Sequence, residues 1–133
     1  MSAKTWMLRT AAVVAGLFGV LTIRTGGSVL FGGIEARIAA GDVVPFVLWF
    51  NFLAGFAYIA GAIGLWMGRP WGAWTAIAIA GATAVVFALL GVHAALGGAF
   101  EMRTVWAMTL RTVLWSAIAA LAYCAVGRTP EAP

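Results

Sequence analysis

Four long stretches of this chain are almost free of charge, and no other feature constrains its fold so tightly. Residues 43–67 carry no charged side chain, residues 70–96 only His93, and residues 104–126 only Arg111. Residues 7–31 are the least pure, with Arg9 near the start and Arg24 beside Gly26 and Gly27 in the last third. The hydrocarbon layer of a bilayer is about 30 Å thick and needs about 20 apolar residues of helix to cross it, and each stretch is long enough. Composition agrees. The chain is 64% hydrophobic and 9% charged, where a soluble domain carries roughly a quarter charged residues, and a chain this short has too little interior to hide so much apolar surface from water. The sequence therefore predicts an all-α integral membrane protein, a single domain over residues 1–133 built as a four-transmembrane-helix bundle. Polar outer segments are expected at 32–42 and 97–103. A tight turn falls at Gly68 and Arg69, after which Pro70 is well suited to the first position of a helix.

The eight Lys and Arg residues against four Asp and Glu give a net charge of +4. They are scattered, and no basic face with interleaved aromatics can be drawn, so nucleic acid is not an expected partner. The positive balance suits helix ends that meet anionic headgroups. The expected partners are the lipid bilayer and either a second copy or a larger membrane complex. Cys124 is the single cysteine, which excludes an internal disulfide and argues against dithiol redox chemistry and structural zinc; it is read as a small residue packed within a helix. Lys4 and Arg9 ahead of an apolar stretch have the opening of a signal peptide. Arg24 then follows without an Ala-x-Ala site and apolar character resumes at Val29, Leu30 and Phe31, so an uncleaved helix is expected.

Orientation follows from the placement of Lys and Arg in short loops. Lys4, Arg9, Arg69 and Arg128 fall at clean helix ends on one side. Arg24, Arg37, Arg103 and Arg111 lie toward the other, in the company of Glu35, Asp42 and Glu101. The first group marks the cytoplasmic side, which places both termini in the cytoplasm of a bacterial-type inner membrane. Trp6, Trp66, Trp71 and Trp74 then mark the inner interface and Trp49 and Trp106 the outer one. Helices in lipid associate where small residues let backbones approach. Three candidate packing stripes are Ala60, Gly64 and Gly68 with Ala57 and Gly61 beside them; Gly72, Ala76, Ala80, Ala84 and Ala88; and Thr112, Ser116, Ala120 and Cys124. The two outer segments each contain a Gly pair followed by Glu-x-Arg (Glu35 and Arg37, Glu101 and Arg103), a faint sign of two pseudo-repeated hairpins related by an axis along the membrane normal.

Polarity is concentrated near the outer helix ends, where Arg24, Glu35, Arg37, Asp42, His93, Glu101, Arg103 and Arg111 all fall. An arginine inside a span costs a few kcal/mol unless it pairs, snorkels or meets water. Arg24 and Arg111 are therefore expected to find partners, with Arg111 inside the bundle within salt-bridge distance of Glu101, Glu35 or Asp42, directly or through water, and with Asn51 and Tyr58 as neutral hydrogen-bonding groups. One reading makes these groups structural ties between loops and bundle, and another has the arginines simply snorkelling. The functional reading is a pocket for an anionic or polar group whose candidate ligand-binding residues are Arg24, Arg111, His93, Glu101, Arg103, Glu35 and Asn51. His93 reads first as a helix-end histidine bonded to a loop, with proton transfer or metal binding as the alternatives; with Met102 and Met108 it makes too small a donor set to name a copper site. HExxH, phosphate-loop, GxSxG and Cys-His signatures are absent from the sequence, and no catalytic residue or metal ligand is assigned.

Met7, Leu8, Arg9 and Thr10 lead into Gly16, Leu17, Phe18 and Gly19. A second stretch, Leu53-Ala54-Gly55-Phe56-Ala57-Tyr58-Ile59-Ala60-Gly61-Ala62-Ile63-Gly64-Leu65-Trp66, is closed by Arg69 and followed at once by an Ala-rich helix. In these positions the chain resembles the DoxX-like group of small four-helix bacterial membrane proteins. The resemblance covers most of the chain through apolar positions, and it implies a four-helix membrane fold; some members of the group are linked to quinone-dependent oxidation of sulfur compounds. The basic residue that such proteins often carry just after the first-helix glycines has only Arg24 as a counterpart here, and no site residue is carried over. The expected function is that of a small inner-membrane binding, transport or accessory subunit, non-enzymatic as an isolated chain. The alternatives are a quinone-linked redox subunit, in which Arg24, Arg111, His93 and Trp106 would hold a quinone, and metal (copper) handling through His93, Met102 and Met108. No cofactor is predicted outright. If both termini are cytoplasmic, cysteines introduced at Ala39 and Ala99 will react with an impermeant thiol reagent added outside cells, and one at Ala132 will not.

Overall fold

The computed structural model describes residues 2–127, and among them it contains helices and turns but no strand. Helix α1 spans Ala3–Phe31, α2 Ile34–Ala40, α3 Pro45–Trp66, α4 Pro70–Ala95 and α5 Met102–Ala122, the last continuing into a π-helical turn at Tyr123–Gly127. The protein is an all-α bundle. Helices α1, α3, α4 and α5 with its terminal turn are each long and apolar enough to cross a membrane, as befits a multi-pass membrane protein. Residues Arg128 and Ala132 lie outside the described residues.

The helix limits have local causes. Helix α1 begins before the apolar run does, because the Ser2 hydroxyl accepts from the Thr5 amide at 3.1 Å and caps it. It then runs unbroken through Arg24, Gly26 and Gly27, whose polarity had marked an interruption. Pro45 and Pro70 occupy the first positions of α3 and α4, where a missing amide hydrogen costs nothing. Gly68, at φ 67°, makes the three-residue turn between α3 and α4 in a conformation that other residues rarely adopt. The segment 32–42 is not merely polar: Gly33 and Gly41, both at positive φ, bracket the seven-residue helix α2. Its Ile34 and Ile38 are each 73% exposed, as in a helix lying in the membrane interface with its apolar pair toward lipid. The corresponding segment before α5 forms no helix, so the two Glu-x-Arg elements are not structural equivalents.

Helices adjacent along the chain pack in order, α1 on α3, α3 on α4 and α4 on α5, whereas the seam between α5 and α1 is much the loosest of the four. The closest backbone approaches are at glycines. A Cβ on Gly72 would come within 2.5 Å of the Gly64 carbonyl carbon, and one on Gly64 within 2.6 Å of the Gly72 Cα. On the other side of α3, a Cβ on Gly55 would come within 2.6 Å of Ile23 and 3.1 Å of the Gly19 carbonyl oxygen. The candidate stripes are thus correct only in part. Gly61, Gly64, Gly72 and Ala76 are buried, but Ala60, Ala84, Ala88, Ser116, Ala120 and Cys124 are exposed, because α5 packs instead through Met108, Trp115, Ile118, Ala119 and Ala122. Cys124 is accordingly not a packed residue. Tryptophans do mark the two ends of the bundle: Trp6, Trp66, Trp71 and Trp74 at the end with the Gly68 turn, and Trp49 and Trp106 at the end with α2, are all exposed.

The apolar core has two parts. The larger, toward the turn end, includes Ala15, Leu65, Ala73, Ala76 and Trp115; the smaller, toward the α2 end, is built on Val44, Val47, Leu90 and Met108. Replacing Gly72 by Ala is expected to force α3 and α4 apart and to destabilise the bundle by about 1–3 kcal/mol, the usual range for overpacking. Gly81→Ala, where an added Cβ meets nothing within 4 Å, is expected to be neutral or stabilising. Thermal unfolding of both variants in detergent checks the contrast.

Candidate functional site

Between the two parts of the core lies a layer of polar side chains contributed by all four long helices. Thr22 comes from α1, Asn51 and Tyr58 from α3, Thr83 from α4, and Arg111 and Trp115 from α5. Their depths match. Arg111 lies nine residues into α5 and Thr22 nine residues from the end of α1, roughly 13 Å below the α2 end at 1.5 Å per residue. On α3, Asn51 and Tyr58 stand seven residues apart and share a face; on α5, Arg111 and Trp115 do so at a spacing of four.

Arg111 is the centre of this layer. Its Nη2 donates to the Thr22 hydroxyl at 3.4 Å, a long bond that crosses the loose seam between α5 and α1. The guanidinium carbon sits 5.4 Å from the centroid of the Phe18 ring, Phe18 packs on Tyr58 with centroids 5.9 Å apart, and Tyr58 packs on Trp115 at 4.8 Å. The Tyr58 hydroxyl lies beside Arg111 and Thr83. Tyr58, Thr83 and Trp115 are completely buried.

The layer is under-satisfied. Among the described residues six buried side-chain polar atoms have no hydrogen-bond partner, and five belong here: Asn51 Oδ1, the Tyr58 hydroxyl, Thr83 Oγ1, Arg111 Nε and Trp115 Nε1. Buried polar groups are ordinarily paired, since an unpaired one costs about 1–3 kcal/mol. Four other helical threonines follow that rule without help: Thr10, Thr75, Thr109 and Thr112 each donate to the carbonyl four residues back, at 2.7–2.9 Å. Thr22 and Thr83 make no such bond and turn into the layer. Among the described residues no carboxylate reaches it. Of the acids among the described residues, Glu35, Asp42 and Glu101 all lie in or beside the segments at the α2 end, and the one ion pair there is Arg103 with Glu101, at 3.7 Å. The expected pairing of Arg111 with Glu101, Glu35 or Asp42 is therefore corrected. A descending helix of 13 Å separates the guanidinium from those loops, and Thr22 and Phe18 are its neighbours instead.

The remaining candidates divide into two further groups. Arg24 is exposed, because two residues beyond Thr22 it points about 200° around the helix, away from the layer. Glu35 is likewise exposed on α2. The others form a clamp over the α2 end of the bundle. Arg103 Nη2 donates to the carbonyls of Ala39 and Ala40, at 3.2 and 3.0 Å, so a cation closes the C-terminus of α2. Glu101 packs against Gly41, where a Cβ would approach its carboxylate to 2.7 Å. The His93 ring bonds the Ala99 carbonyl through Nε2 at 2.9 Å; since a carbonyl only accepts, Nε2 carries the proton. Gly98 must lack a side chain because its Cβ would run into that ring. His93 is thus a loop-holding residue. Met102 is exposed while Met108 is completely buried, so the three donors considered for copper do not share one environment.

Sequence reasoning found Arg111, Asn51 and Tyr58 but missed Thr22, Thr83 and Trp115. For Trp115 a signal existed: it is the one tryptophan far from either end of its span, where an interfacial role cannot account for it. For the threonines there was none, because nothing in sequence separates them from those that bond their own helix. Comparison with protein-family models, with curated proteins and with solved structures finds no match. The separation of layer from clamp is testable through His93→Phe, which keeps a ring against Phe46 but loses the bond to Ala99. It is expected to lower stability by about 1 kcal/mol while leaving unchanged the binding of the probes named below, read by thermal unfolding with and without probe.

Proposed function

We propose that the protein is a membrane-embedded binding subunit whose interior receives the polar head of a lipid-soluble molecule. The observation that carries this reading is Arg111 itself, in the middle of the bundle, with its Nε unpaired, the Tyr58 hydroxyl beside it and no counter-charge among the described residues. Arg111 and Trp115 can only donate hydrogen bonds, and Tyr58 and Thr83 can also donate. What would satisfy these four is a group rich in acceptors, either a carboxylate or a carbonyl, whereas Asn51 Oδ1 needs a donor. Such a head would enter from lipid through the seam between α1 and α5, the side on which the bundle is least closed. The polar groups at the α2 end hold that end together and leave the binding role to the deeper layer.

An arginine at mid-span costs roughly 2.5–3.5 kcal/mol on insertion scales. The long bond to Thr22 and the contact with the Phe18 ring offset about as much, so Arg111 is accommodated in the bundle while its Nε stays unpaired. A second reading, a quinone-linked redox subunit, rests on the same surplus of donors, since the two carbonyls of a quinone head are acceptors; Arg111, Tyr58 and Trp115 rather than His93 and Trp106 would hold it. The likeness to DoxX-like proteins and the placement in a bacterial inner membrane belong to this reading as proposals too.

The test is ligand-dependent thermal stability of the purified protein, with oleate as the carboxylate probe and a short-tailed ubiquinone analogue as the carbonyl probe. Arg111→Leu is expected to fold, to melt no lower than the wild type, and to lose the stabilisation that a probe confers on the wild type. A response to oleate favours the anionic head and a response to the quinone analogue the redox subunit. Wild-type protein indifferent to both, or an Arg111→Leu chain that does not fold, would make the layer structural.

A further inference from the structure

At the opposite end of the bundle a groove of about 250 Å³ runs between α1 and α3, lined by Ala12, Val13, Ile59, Ala62, Ile63, Trp66 and Met67. Small residues make its floor and long ones its walls: Ala12 and Ala62 are buried, whereas Val13, Ile63, Trp66 and Met67 are about half exposed. Every lining side chain is apolar. The groove faces outward from the bundle, so its surroundings are the hydrocarbon of the membrane.

A cation stands at its mouth. The Arg9 guanidinium carbon lies 4.6 Å from the centroid of the Trp66 ring, and Trp66 is one wall of the groove. Stacking fixes a planar guanidinium and leaves its edge free to donate to an anion. Arg9 Nε is the sixth of the buried atoms without a partner among the described residues. Lys4 and Arg69 lie at the same end and are exposed, while the three described acids lie at the other. This end is therefore positively charged, and its exposed tryptophans put it at the level of the lipid headgroups.

We propose that this groove is a binding site for an anionic glycerophospholipid, one acyl chain lying along Ala12, Ala62 and Ile59 and the headgroup phosphate meeting Arg9. An acyl chain suits the groove because no wall offers it a hydrogen bond to lose. Charge selects the headgroup: a zwitterionic lipid would bring its own cation to a surface that already carries Lys4, Arg9 and Arg69, whereas phosphatidylglycerol brings only the anion. The site is independent of the Arg111 layer, which lies deeper in the bundle and opens on a different seam.

Native mass spectrometry of the full chain, released from micelles holding equal amounts of dioleoyl-phosphatidylglycerol and dioleoyl-phosphatidylcholine, tests the proposal. The wild type is expected to retain one phosphatidylglycerol several-fold in preference to phosphatidylcholine. Arg9→Gln should bring that ratio to parity and Arg9→Lys should restore most of it. Val13→Trp, a substitution at a half-exposed wall that fills the groove while circular dichroism reports unchanged helicity, should reduce retention of both lipids. Arg111→Leu should change neither. No preference in the wild type, or a preference that survives both Arg9→Gln and Val13→Trp, overturns the site. So does a lipid-free dimer in the same spectra that dissociates on Val13→Trp, since a second copy would then be what fills the groove.

Discussion

Helices in a bilayer gain little by hiding apolar side chains from one another, because lipid is as apolar as they are, so their association depends on how closely backbones can approach. In this bundle that condition is met at two places on α3. Gly64 meets Gly72 of α4 on one side and Gly55 meets Gly19 of α1 on the other, each at a distance that leaves no room for a methyl group. The rest of the architecture follows from these contacts. With α3 clamped to both neighbours and α4 carrying α5, the fourth seam, between α5 and α1, has no glycine contact to close it. It is bridged by long side chains instead, and the longest is Arg111.

That difference between seams explains why polar groups can persist in the middle of so apolar a chain. Where backbones touch there is no space for anything but glycine and alanine. Where α5 stands off, Arg111, Tyr58 and Trp115 fill the interval, Phe18 and Thr22 meet them from α1, and the side chains that fill it carry donors. The apolar core divides around them into the part near Leu65 and the part near Leu90. At the α2 end, in contrast, Arg103 and His93 are occupied with the last carbonyls of α2 and a loop carbonyl, and Glu101 pairs with Arg103; such backbone groups are ones that a membrane protein must satisfy for itself.

The two ends of the bundle differ in charge for a related reason. The three acids among the described residues lie at the α2 end, where Glu101 joins the clamp through Arg103, and the turn between α3 and α4 needs no such clamp, because Gly68 and Arg69 satisfy it with backbone alone. The turn end is left with Lys4, Arg9 and Arg69 and a hollow beside Trp66, a combination suited to lipid anions.

The sequence by itself determined the four spans, the two aromatic belts and the turn at Gly68, because all of these depend on one-dimensional quantities: the length of an apolar run, the position of a tryptophan along it, the identity of a turn residue. It also singled out Arg111, since a charge within a span is conspicuous wherever it points. It did not determine which face of each helix is inside. Ser116, Ala120 and Cys124 form as regular a stripe as Gly72, Ala76 and Ala80, yet they face outward, because α5 packs through Met108, Trp115, Ile118, Ala119 and Ala122 instead. Nor did it separate Arg24 from Arg111, or Thr22 and Thr83 from the threonines that bond their own helices. Those distinctions depend on rotation about each helix axis and on the spacing between helices. Only the packed bundle fixes these, through the close approach of Gly19 to Gly55 and of Gly64 to Gly72.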